Sequence, residues 1–299
     1  MSNVTSLTQF TSTAEQAANQ VIKAYSTSFG LAARLLGARH RQHVRNIYAL
    51  VRVADEIVDG MTAEAGLASA EQSATLERFI AETHLALRLG CSSDLVIHAF
   101  ARTARECGID ASLTQPFFDS MRLDLGHDTA SPTRLVRFDS DTHAHYVYGS
   151  AEVVGLMCLR VFLRERDMSD ANLRTLEHGA RQLGAAFQNI NFLRDLSDDT
   201  ERLGRSYLGT NDRLDDADRL AWVRTIRTQL DDASKTVPLL PWDARAAIRS
   251  ALALFSALAD RIEKVQVGEL YQRRVRVPDP VKAGVTARAL VTTWMEKRR

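Results

Sequence analysis

The sequence predicts an all-α protein that folds as a single domain. Apolar residues recur with helical spacing along most of the 299 residues, and neither period-two strand patterns nor hairpin turn signals appear. No linker rich in proline, glycine and serine divides the chain. We therefore predict a flexible polar tail over residues 1–12 and one helical domain over residues 13–299.

Capping residues and helix breakers predict the order of the helices. Thr13 and Gln16 resemble a capping box that begins the first helix, and Gly60 ends an early acidic helix. Pro116 is expected to open the helix that follows it. Helices are expected over 69–89, 94–107, 117–125, 145–163, 169–199, 215–237 and 243–267, with a last one after Pro280.

Composition excludes several classes of function. A net charge of +1 gives no electrostatic basis for nucleic-acid binding. The three cysteines form no CxxC pair, which favours a reducing cytoplasm. Uninterrupted apolar runs are much shorter than the roughly 20 residues of a membrane span, and the N-terminus lacks the features of a signal peptide. We expect a cytoplasmic protein.

One polar stripe lies within the predicted helix 169–199. Gln188, Asn191, Asp195 and Asp199 follow one another at offsets of three, four and four, so they share one helix face. The residues between them are mostly apolar and favour burial. Because a mostly apolar helix does not usually turn its polar stripe toward bulk water, this stripe is expected to line an internal cavity.

A second stripe of the same design precedes Gly60. Tyr48, Arg52, Asp55 and Asp59 share one face, again among apolar neighbours. Two buried acidic pairs are unfavourable unless a cation binds them, and Mg²⁺, or alternatively Mn²⁺, accepts such carboxylates. The alternative is two amphipathic helices with solvated, salt-bridged faces; the repetition of the pattern makes this alternative less favoured.

Cationic side chains near both stripes point to a phosphorylated ligand. Arginine binds phosphate oxygens with paired donors, and a metal ion bridges phosphates. The loop after the second acidic pair carries Arg205 and Tyr207, which are placed to close over the carboxylates. No Walker A or dinucleotide fingerprint occurs, so a nucleotide is not expected. An apolar cavity with a polar end suits a diphosphate with a long apolar tail.

These motifs resemble those of the squalene and phytoene synthases over about residues 25–277. The matching segments are Ser26-x-Ser28-Phe29, Tyr48 through Arg52 to Asp55-x-x-x-Asp59, residues 146–155, Gln188-x-x-Asn191-x-x-Arg194-Asp195-x-x-x-Asp199, and residues 202–208. The resemblance implies the all-α isoprenoid synthase bundle around a central cavity. It also implies a prenyltransferase that condenses two prenyl diphosphates head to head through a cyclopropylcarbinyl diphosphate.

The resemblance also assigns roles to residues. It implies metal binding by Asp55, Asp59, Asn191, Asp195 and Asp199, and a catalytic set made of those four aspartates with Tyr146. It implies substrate binding by Ser26, Ser28, Tyr48, Arg52, Gln188, Asn191, Arg194, Arg205, Tyr207 and Arg274. Arg273 and Arg276 are close alternatives to Arg274, and Tyr146 and Tyr148 are equally open to interpretation as ordinary core aromatics.

Substrate length separates the products within this family. Two geranylgeranyl diphosphates would give phytoene, whereas farnesyl diphosphate would give squalene or dehydrosqualene. Squalene formation needs NADPH, and eukaryotic relatives that make it usually carry a C-terminal membrane span that is not found here. The resemblance therefore favours phytoene, the carotenoid precursor, with no NADPH requirement.

Other classes of function are less consistent with the sequence. Head-to-tail prenyl synthases and terpene cyclases also use aspartate motifs and Mg²⁺, but their DDxxD motif is missing. A non-catalytic helical assembly factor is disfavoured because both acidic pairs are present. An apolar product leads us to expect peripheral contact with a membrane surface, whereas the oligomeric state cannot be read from the sequence.

Overall fold

The computed structural model describes residues 5–26, 28–125, 136–197, 200, 205–208 and 213–297. The α-helices of this part are α1 Ser6–Tyr25, α2 Ser28–Ala33, α3 Ala38–Asp59, α4 Met61–Glu64, α5 Ser69–Leu89, α6 Leu95–Cys107, α7 Ala111–Leu125, α8 Ser140–Val147, α9 Val153–Leu163, α10 Asp170–Arg194, α11 Asp216–Thr236, α12 Trp242–Lys264, α13 Val267–Leu270 and α14 Asp279–Lys297. Two short strands, β1 Val136–Arg137 and β2 Arg205–Ser206, pair in parallel.

Long helices pack around two apolar clusters. The first cluster includes Leu50, Phe100 and Met157, which come from α3, α6 and α9. The second includes Ile190 and Ile226, where α10 packs along α11. The prediction of an all-α bundle is confirmed, and the parallel strand pair is an addition that the sequence did not predict.

Helix α1 begins at Ser6 rather than near Thr13. The Thr5 side chain is the N-cap and accepts a hydrogen bond from the Thr8 amide at 3.2 Å. Thr13 lies inside the helix, where its hydroxyl donates to the Gln9 carbonyl at 3.0 Å. Either threonine can form a hydrogen bond with a backbone group of the helix. The capping pattern at Thr13 therefore predicted the wrong start for α1.

Helix α7 likewise begins before the predicted position. Pro116 lies inside the helix, which starts at Ala111. The Asp110 carboxylate accepts a hydrogen bond from the Ser112 amide at 2.9 Å and so caps the first turn. The prediction that Pro116 opens this helix was wrong because an upstream cap moved the start back.

The apolar segment predicted as one helix over 145–163 consists of three parts. Helix α8 passes through a π-helical turn, Tyr148–Glu152, into α9. Within the described residues, Ser140–Leu163 is long and apolar enough, by length and composition alone, to cross a membrane. Of its most apolar stretch, 44% is buried inside the bundle.

Helix α10 approaches the π-helical turn very closely at Gly184. A Cβ atom on Gly184 would lie 2.5 Å from the Ala151 carbonyl oxygen, so only glycine permits this contact. A second close approach occurs at Gly155, where a Cβ atom would lie 2.5 Å from the Ala180 carbonyl oxygen. These two glycines set the distance between two of the helices that line the central cavity.

Replacing Gly184 with alanine should destabilise the fold. We expect the Gly184→Ala variant to lose about 1–3 kcal/mol of unfolding free energy, because the backbone it would meet cannot shift without moving a helix. Urea unfolding measures the loss. Gly284→Ala is the matched control, because no atom lies near its Cβ position and alanine favours the helix. An equal loss in both variants would contradict the close-approach argument.

Asp243 joins the start of α12 to the start of α3. Its carboxylate accepts hydrogen bonds from Arg39 Nε at 2.7 Å and Arg39 Nη2 at 3.1 Å, and His40 Nε2 lies 3.2 Å from it. Its backbone carbonyl also accepts from the Gly37 amide at 2.8 Å. The hydrogen bonds from Arg39 lower the pKa of Asp243 to about 2.

The Asp243→Asn variant should be less stable at neutral pH. A carboxylate whose folded-state pKa is depressed stabilises the fold above its ordinary pKa, and the contribution disappears as pH falls through the folded value. We expect a loss of about 1–2 kcal/mol at pH 7 that vanishes between about pH 4 and pH 2. Urea titrations across this range measure it against Asp231→Asn, whose exposed ion pair should matter little. A pH-independent difference would contradict the prediction.

Candidate active site

A cavity of about 970 Å³ lies inside the bundle. Apolar side chains from α3, α9, α10 and α12 form most of its wall, among them Val44, Val51, Val154, Leu183, Ala251 and Leu254. Its polar lining residues include Tyr48, Arg52, Gln188, Asn191 and Arg194. Each predicted stripe therefore contributes residues to the same cavity, whereas the described aspartates Asp55, Asp59 and Asp195 are not among its lining residues.

The α3 wall presents a phenol to the cavity. Tyr48 is half-buried and stacks on Phe29, with ring centroids 5.2 Å apart. Burial raises the pKa of Tyr48, against the opposing effect of a hydrogen bond with Ser26. The Tyr48 hydroxyl therefore remains a hydrogen-bond donor at neutral pH. Ser26 also lines the cavity, and its Oγ accepts from the Gly30 amide at 3.2 Å.

Arg52 is held from several sides at the same wall. It donates to Asp55 at 2.8 Å and to Glu56, and its guanidinium lies 4.6 Å from the Tyr25 ring centroid. Its Nε atom is buried without a hydrogen-bond partner among the described residues. A fixed guanidinium with an unused donor is suited to binding an oxyanion in the cavity.

Asp55 and Asp59 lie in the last turns of α3, beyond Arg52. Burial and the neighbouring charge of Asp59 raise the pKa of Asp55 well above its ordinary value, and Arg52 only partly offsets them. The side chain of Asp55 keeps 37% of its surface accessible. The last turns of α3 therefore favour the approach of a cation.

The α10 wall carries an unsatisfied carboxamide. Gln188, Asn191 and Arg194 line the cavity on successive turns of this helix. The Oδ1 atom of Asn191 is buried and has no hydrogen-bond partner in the described part of the chain. A buried carbonyl oxygen of this kind is free to bind a cation or a donor.

Two arginines hold Asp195 where α10 ends. Arg194 donates to its two oxygens at 2.9 and 2.6 Å. Arg274, from the segment between α13 and α14, donates to it at 3.2 Å, and the closest approach of this pair is 2.7 Å. Arg274 and Arg276 both line the cavity, whereas Arg273 pairs with Glu269 at 2.5 Å on the surface.

Tyr146 and Tyr207 converge on a buried carboxylate that the sequence analysis did not assign. The Tyr146 hydroxyl donates to Asp124 at 2.8 Å, and the Tyr207 hydroxyl donates to its other oxygen at 3.1 Å. Asp124 is 5% exposed, and its charge contributes to raising the pKa of Asp55. The sequence contained a signal for a buried carboxylate here, because Asp124 follows Met121 on the apolar face of α7.

The aromatic surroundings place both tyrosines beside α10. Tyr207 stacks on Phe192, with ring centroids 4.2 Å apart, and Tyr146 packs edge-on against Phe138. Tyr148 faces elsewhere, because its ring lies under Arg181 at 5.2 Å. The structure thus gives Tyr146 and Tyr148 different surroundings, whereas the sequence did not distinguish them.

Some predicted site residues lie outside the described residues. They are Asp199 and the side chains of Ser28 and Arg205. Within the described ranges, no group of three or more His, Cys, Asp or Glu side chains is arranged to hold a metal ion. The oxygen donors that are described nevertheless fit a hard divalent cation, since they include the buried carboxamide oxygen of Asn191 and the carboxyl of Asp55, whose pKa is raised.

Comparisons with known proteins show which sequences and structures the chain is similar to. The family model described as squalene/phytoene synthase matches residues 22–280. Phytoene synthase 3 of Zea mays is 29% identical over 283 residues, which cover 88% of this chain and 62% of that protein. Phytoene synthase of Arthrospira platensis is 30% identical over 285 residues, with 87% and 86% coverage. The chain spans about three fifths of the length of this Zea mays protein and of the phytoene synthases that it matches from an Oncidium hybrid and Arabidopsis thaliana.

Solved structures share the fold. A dehydrosqualene synthase superposes with a TM-score of 0.77 at 20% identity, covering 97% of this chain and 99% of the other. Squalene synthase HpnC from Alicyclobacillus acidocaldarius gives 0.68 at 15% identity, with 89% and 97% coverage. At this level of identity, the likeness concerns the fold.

Proposed function

Because the chain belongs to the squalene/phytoene synthase family, we propose that it is a prenyltransferase that joins two prenyl diphosphates head to head through a cyclopropylcarbinyl diphosphate. One observation carries the proposal. Arg52 of α3 and Asn191 and Arg194 of α10 line the same apolar cavity, so that diphosphate-binding groups and a hydrocarbon-binding wall form one site.

Divalent cation binding is part of this proposal. Mg²⁺, or alternatively Mn²⁺, would be held by Asp55, Asp59, Asn191, Asp195 and Asp199. When bound, it supplies positive charge that stabilises the departing diphosphate. The buried Asn191 oxygen and the raised pKa of Asp55 support this donor set, because both groups gain from a nearby cation.

The chain's own donors bind the diphosphates in this proposal. Arg52, Arg194 and Arg274 offer guanidinium groups, and Tyr48 offers a phenol, at the polar end of the cavity. Ser26 and Ser28 would bind the first diphosphate, Gln188 the substrate, and Arg205 with Tyr207 would close over the site. Because the hydrogen bonds to phosphate oxygens strengthen as negative charge develops, these groups favour ionisation.

Apolar walls protect the allylic carbocation from water. The rings of Phe187 and Phe255 stack with centroids 3.6 Å apart, and both line the cavity. Water that reached the cation would give an alcohol, so a dry wall determines the product. The Tyr146 phenol is proposed to lie near the cationic centre, and Asp124 holds its hydroxyl in place.

Cavity length favours a C20 substrate. The lining residues of α10 extend from Leu176 to Arg194, about 27 Å along the helix axis, which leaves room for a diphosphate beyond the hydrocarbon chain. Four extended isoprene units span about 19 Å, by the spacing of an extended covalent chain. We therefore propose geranylgeranyl diphosphate as substrate and phytoene as product, with no reductant; the apolar product would be handed to a membrane surface by a cytoplasmic enzyme.

Product analysis tests the proposal. The protein is incubated with Mg²⁺ and either geranylgeranyl or farnesyl diphosphate, with and without NADPH, and hydrocarbons are identified by mass spectrometry. We expect a C40 hydrocarbon and released diphosphate from the C20 substrate, without a need for NADPH. A C30 product alone would overturn the chain length, and no turnover with either substrate would favour a non-catalytic assembly role.

A further inference from the structure

A second, smaller cavity lies beside α9, and the proposed reaction gives it no role. Its volume is about 240 Å³. Helices α6, α7, α9 and α10 contribute to its wall, which is largely aliphatic and includes Leu113, Leu156, Leu163, Met168 and Leu173. Two of its charged lining residues form an ion pair, since Arg160 of α9 lies 3.8 Å from Glu177 of α10. The second cavity therefore offers an apolar surface with a charged edge.

Leu159 stands between the two cavities. Among the residues that the structure describes, it alone lines both the central cavity and the second cavity. Cys158 and Phe162 line the central cavity, whereas Leu156 and Leu163 line the second cavity. Because successive residues of an α-helix are about 100° apart, Leu159 falls on the border between these two faces of α9. Its buried side chain is therefore the partition.

The partition lies at the end of the central cavity that is remote from the diphosphate-binding groups. The close approaches at Gly184 and Gly155 fix an antiparallel register between α9 and α10. Leu159 lies about one turn beyond Gly155, and this register places it opposite Leu176. The lining residues of α10 begin at Leu176, about 27 Å along the axis from Arg194. Leu159 thus closes the apolar end.

The length of a prenyl chain fits this distance. Four extended isoprene units span about 19 Å, and each further unit adds about 5 Å. A C20 chain whose diphosphate is bound near Arg194 therefore ends close to the partition. A C25 chain would overlap the Leu159 side chain. Leu159 belongs to the first apolar cluster, where packed neighbours leave it little freedom to move aside.

We propose that Leu159 sets the upper limit of prenyl length by closing the apolar end of the central cavity. The second cavity is the space that a longer chain enters once this side chain is shortened. The inference deepens the proposed function, on which the prenyl diphosphate substrate rests. It concerns binding of the chain, so it can be measured without turnover.

Isothermal titration calorimetry with unreactive substrate analogues tests the limit. The full chain is titrated, with Mg²⁺ present, with C20 and C25 prenyl thiolodiphosphates, in which sulfur replaces the oxygen between carbon and phosphorus. We expect the wild type to bind the C25 analogue at least about tenfold more weakly than the C20 analogue, as overfilling of a packed site implies. The Leu159→Ala variant should bind both analogues with similar affinity.

Three further variants separate removal of the partition from other effects. Leu156→Ala is the matched control, because it enlarges only the second cavity and should keep the wild-type preference for C20. Leu159→Ala/Leu156→Phe refills the second cavity and should restore that preference. Leu159→Val removes less of the core and should show a smaller gain for C25, which keeps the test decisive if the alanine variant does not fold.

The affinity ratios decide the proposal. Equal binding of both analogues by the wild type would overturn it, as would an unchanged preference for C20 in the folded Leu159 variants. A gain for C25 in Leu156→Ala as large as that in Leu159→Ala would also reject Leu159 as the partition. Failure of the wild type to bind either analogue would overturn both this inference and the proposed function. If Leu159 controls the ratio in a protein that releases no diphosphate from geranylgeranyl diphosphate, the length limit stands and the proposed function is rejected.

Discussion

Asp55→Asn and Asp195→Asn should each lower kcat by about 10³-fold or more, since each removes a carboxylate from the proposed metal-binding set. Asparagine keeps the shape of the side chain and one oxygen but loses the charge. In the proposed reaction that charge recruits the cation which stabilises the departing diphosphate. Diphosphate release from geranylgeranyl diphosphate in the presence of Mg²⁺ measures the loss.

The stability of these two variants should move in opposite directions. The pKa of Asp55 is raised in the folded state, so its ionised form destabilises the fold at neutral pH, and Asp55→Asn should raise the thermal midpoint. Asp195→Asn loses charged hydrogen bonds from Arg194 and Arg274, and its midpoint should fall. Asp231→Asn, an exposed change on α11, should leave kcat unchanged. Near-normal turnover in either site variant would show that the substituted aspartate does not bind the metal.

Tyr146→Phe should lower kcat by about 10²-fold with little change in KM, because a positioned hydroxyl contributes about this much to catalysis. Asp124→Asn should lower kcat by about 10- to 100-fold through misplacement of the Tyr146 hydroxyl, as is typical of residues that orient a catalytic group. Steady-state kinetics with separate kcat and KM values measure both effects.

Tyr148→Phe is the matched control for Tyr146→Phe. Both tyrosines lie on the same apolar segment, but the Tyr148 ring lies under Arg181 and its hydroxyl has no assigned role. Its kcat should stay near the wild-type value. Equal losses in the Tyr146 and Tyr148 variants, or losses that follow the thermal midpoint, would indicate a structural role and contradict the assignment.

Helical spacing was enough to predict the two polar walls of the cavity. Tyr48 and Arg52 are four residues apart, and the later polar residues from Gln188 onward follow at offsets of three and four. A regular helix turns such positions to one side. That both walls meet at one cavity depends on the packing of α3 and α10 in the same bundle. The resemblance to a family supplied this step, and the structure confirms the bundle around a cavity.

Contacts between distant segments could not be predicted in the same way. The Arg274 contact with Asp195 joins residues that no local pattern relates, and two other arginines compete nearby in the sequence. Asp124 gains its partners from α8 and from the segment after β2. The starts of α1 and α7 were misplaced for a local reason, because several polar residues can cap the same helix.

The two arginines on Asp195 have a consequence for the order of ligand binding. A cation that takes Asp195 must displace Arg194 and Arg274, and a diphosphate that takes these arginines must displace Asp195. Binding of either ligand therefore breaks the ion pair that competes with binding of the other. Mg²⁺ and the prenyl diphosphate should bind with positive cooperativity, each increasing the affinity for the other by the same factor.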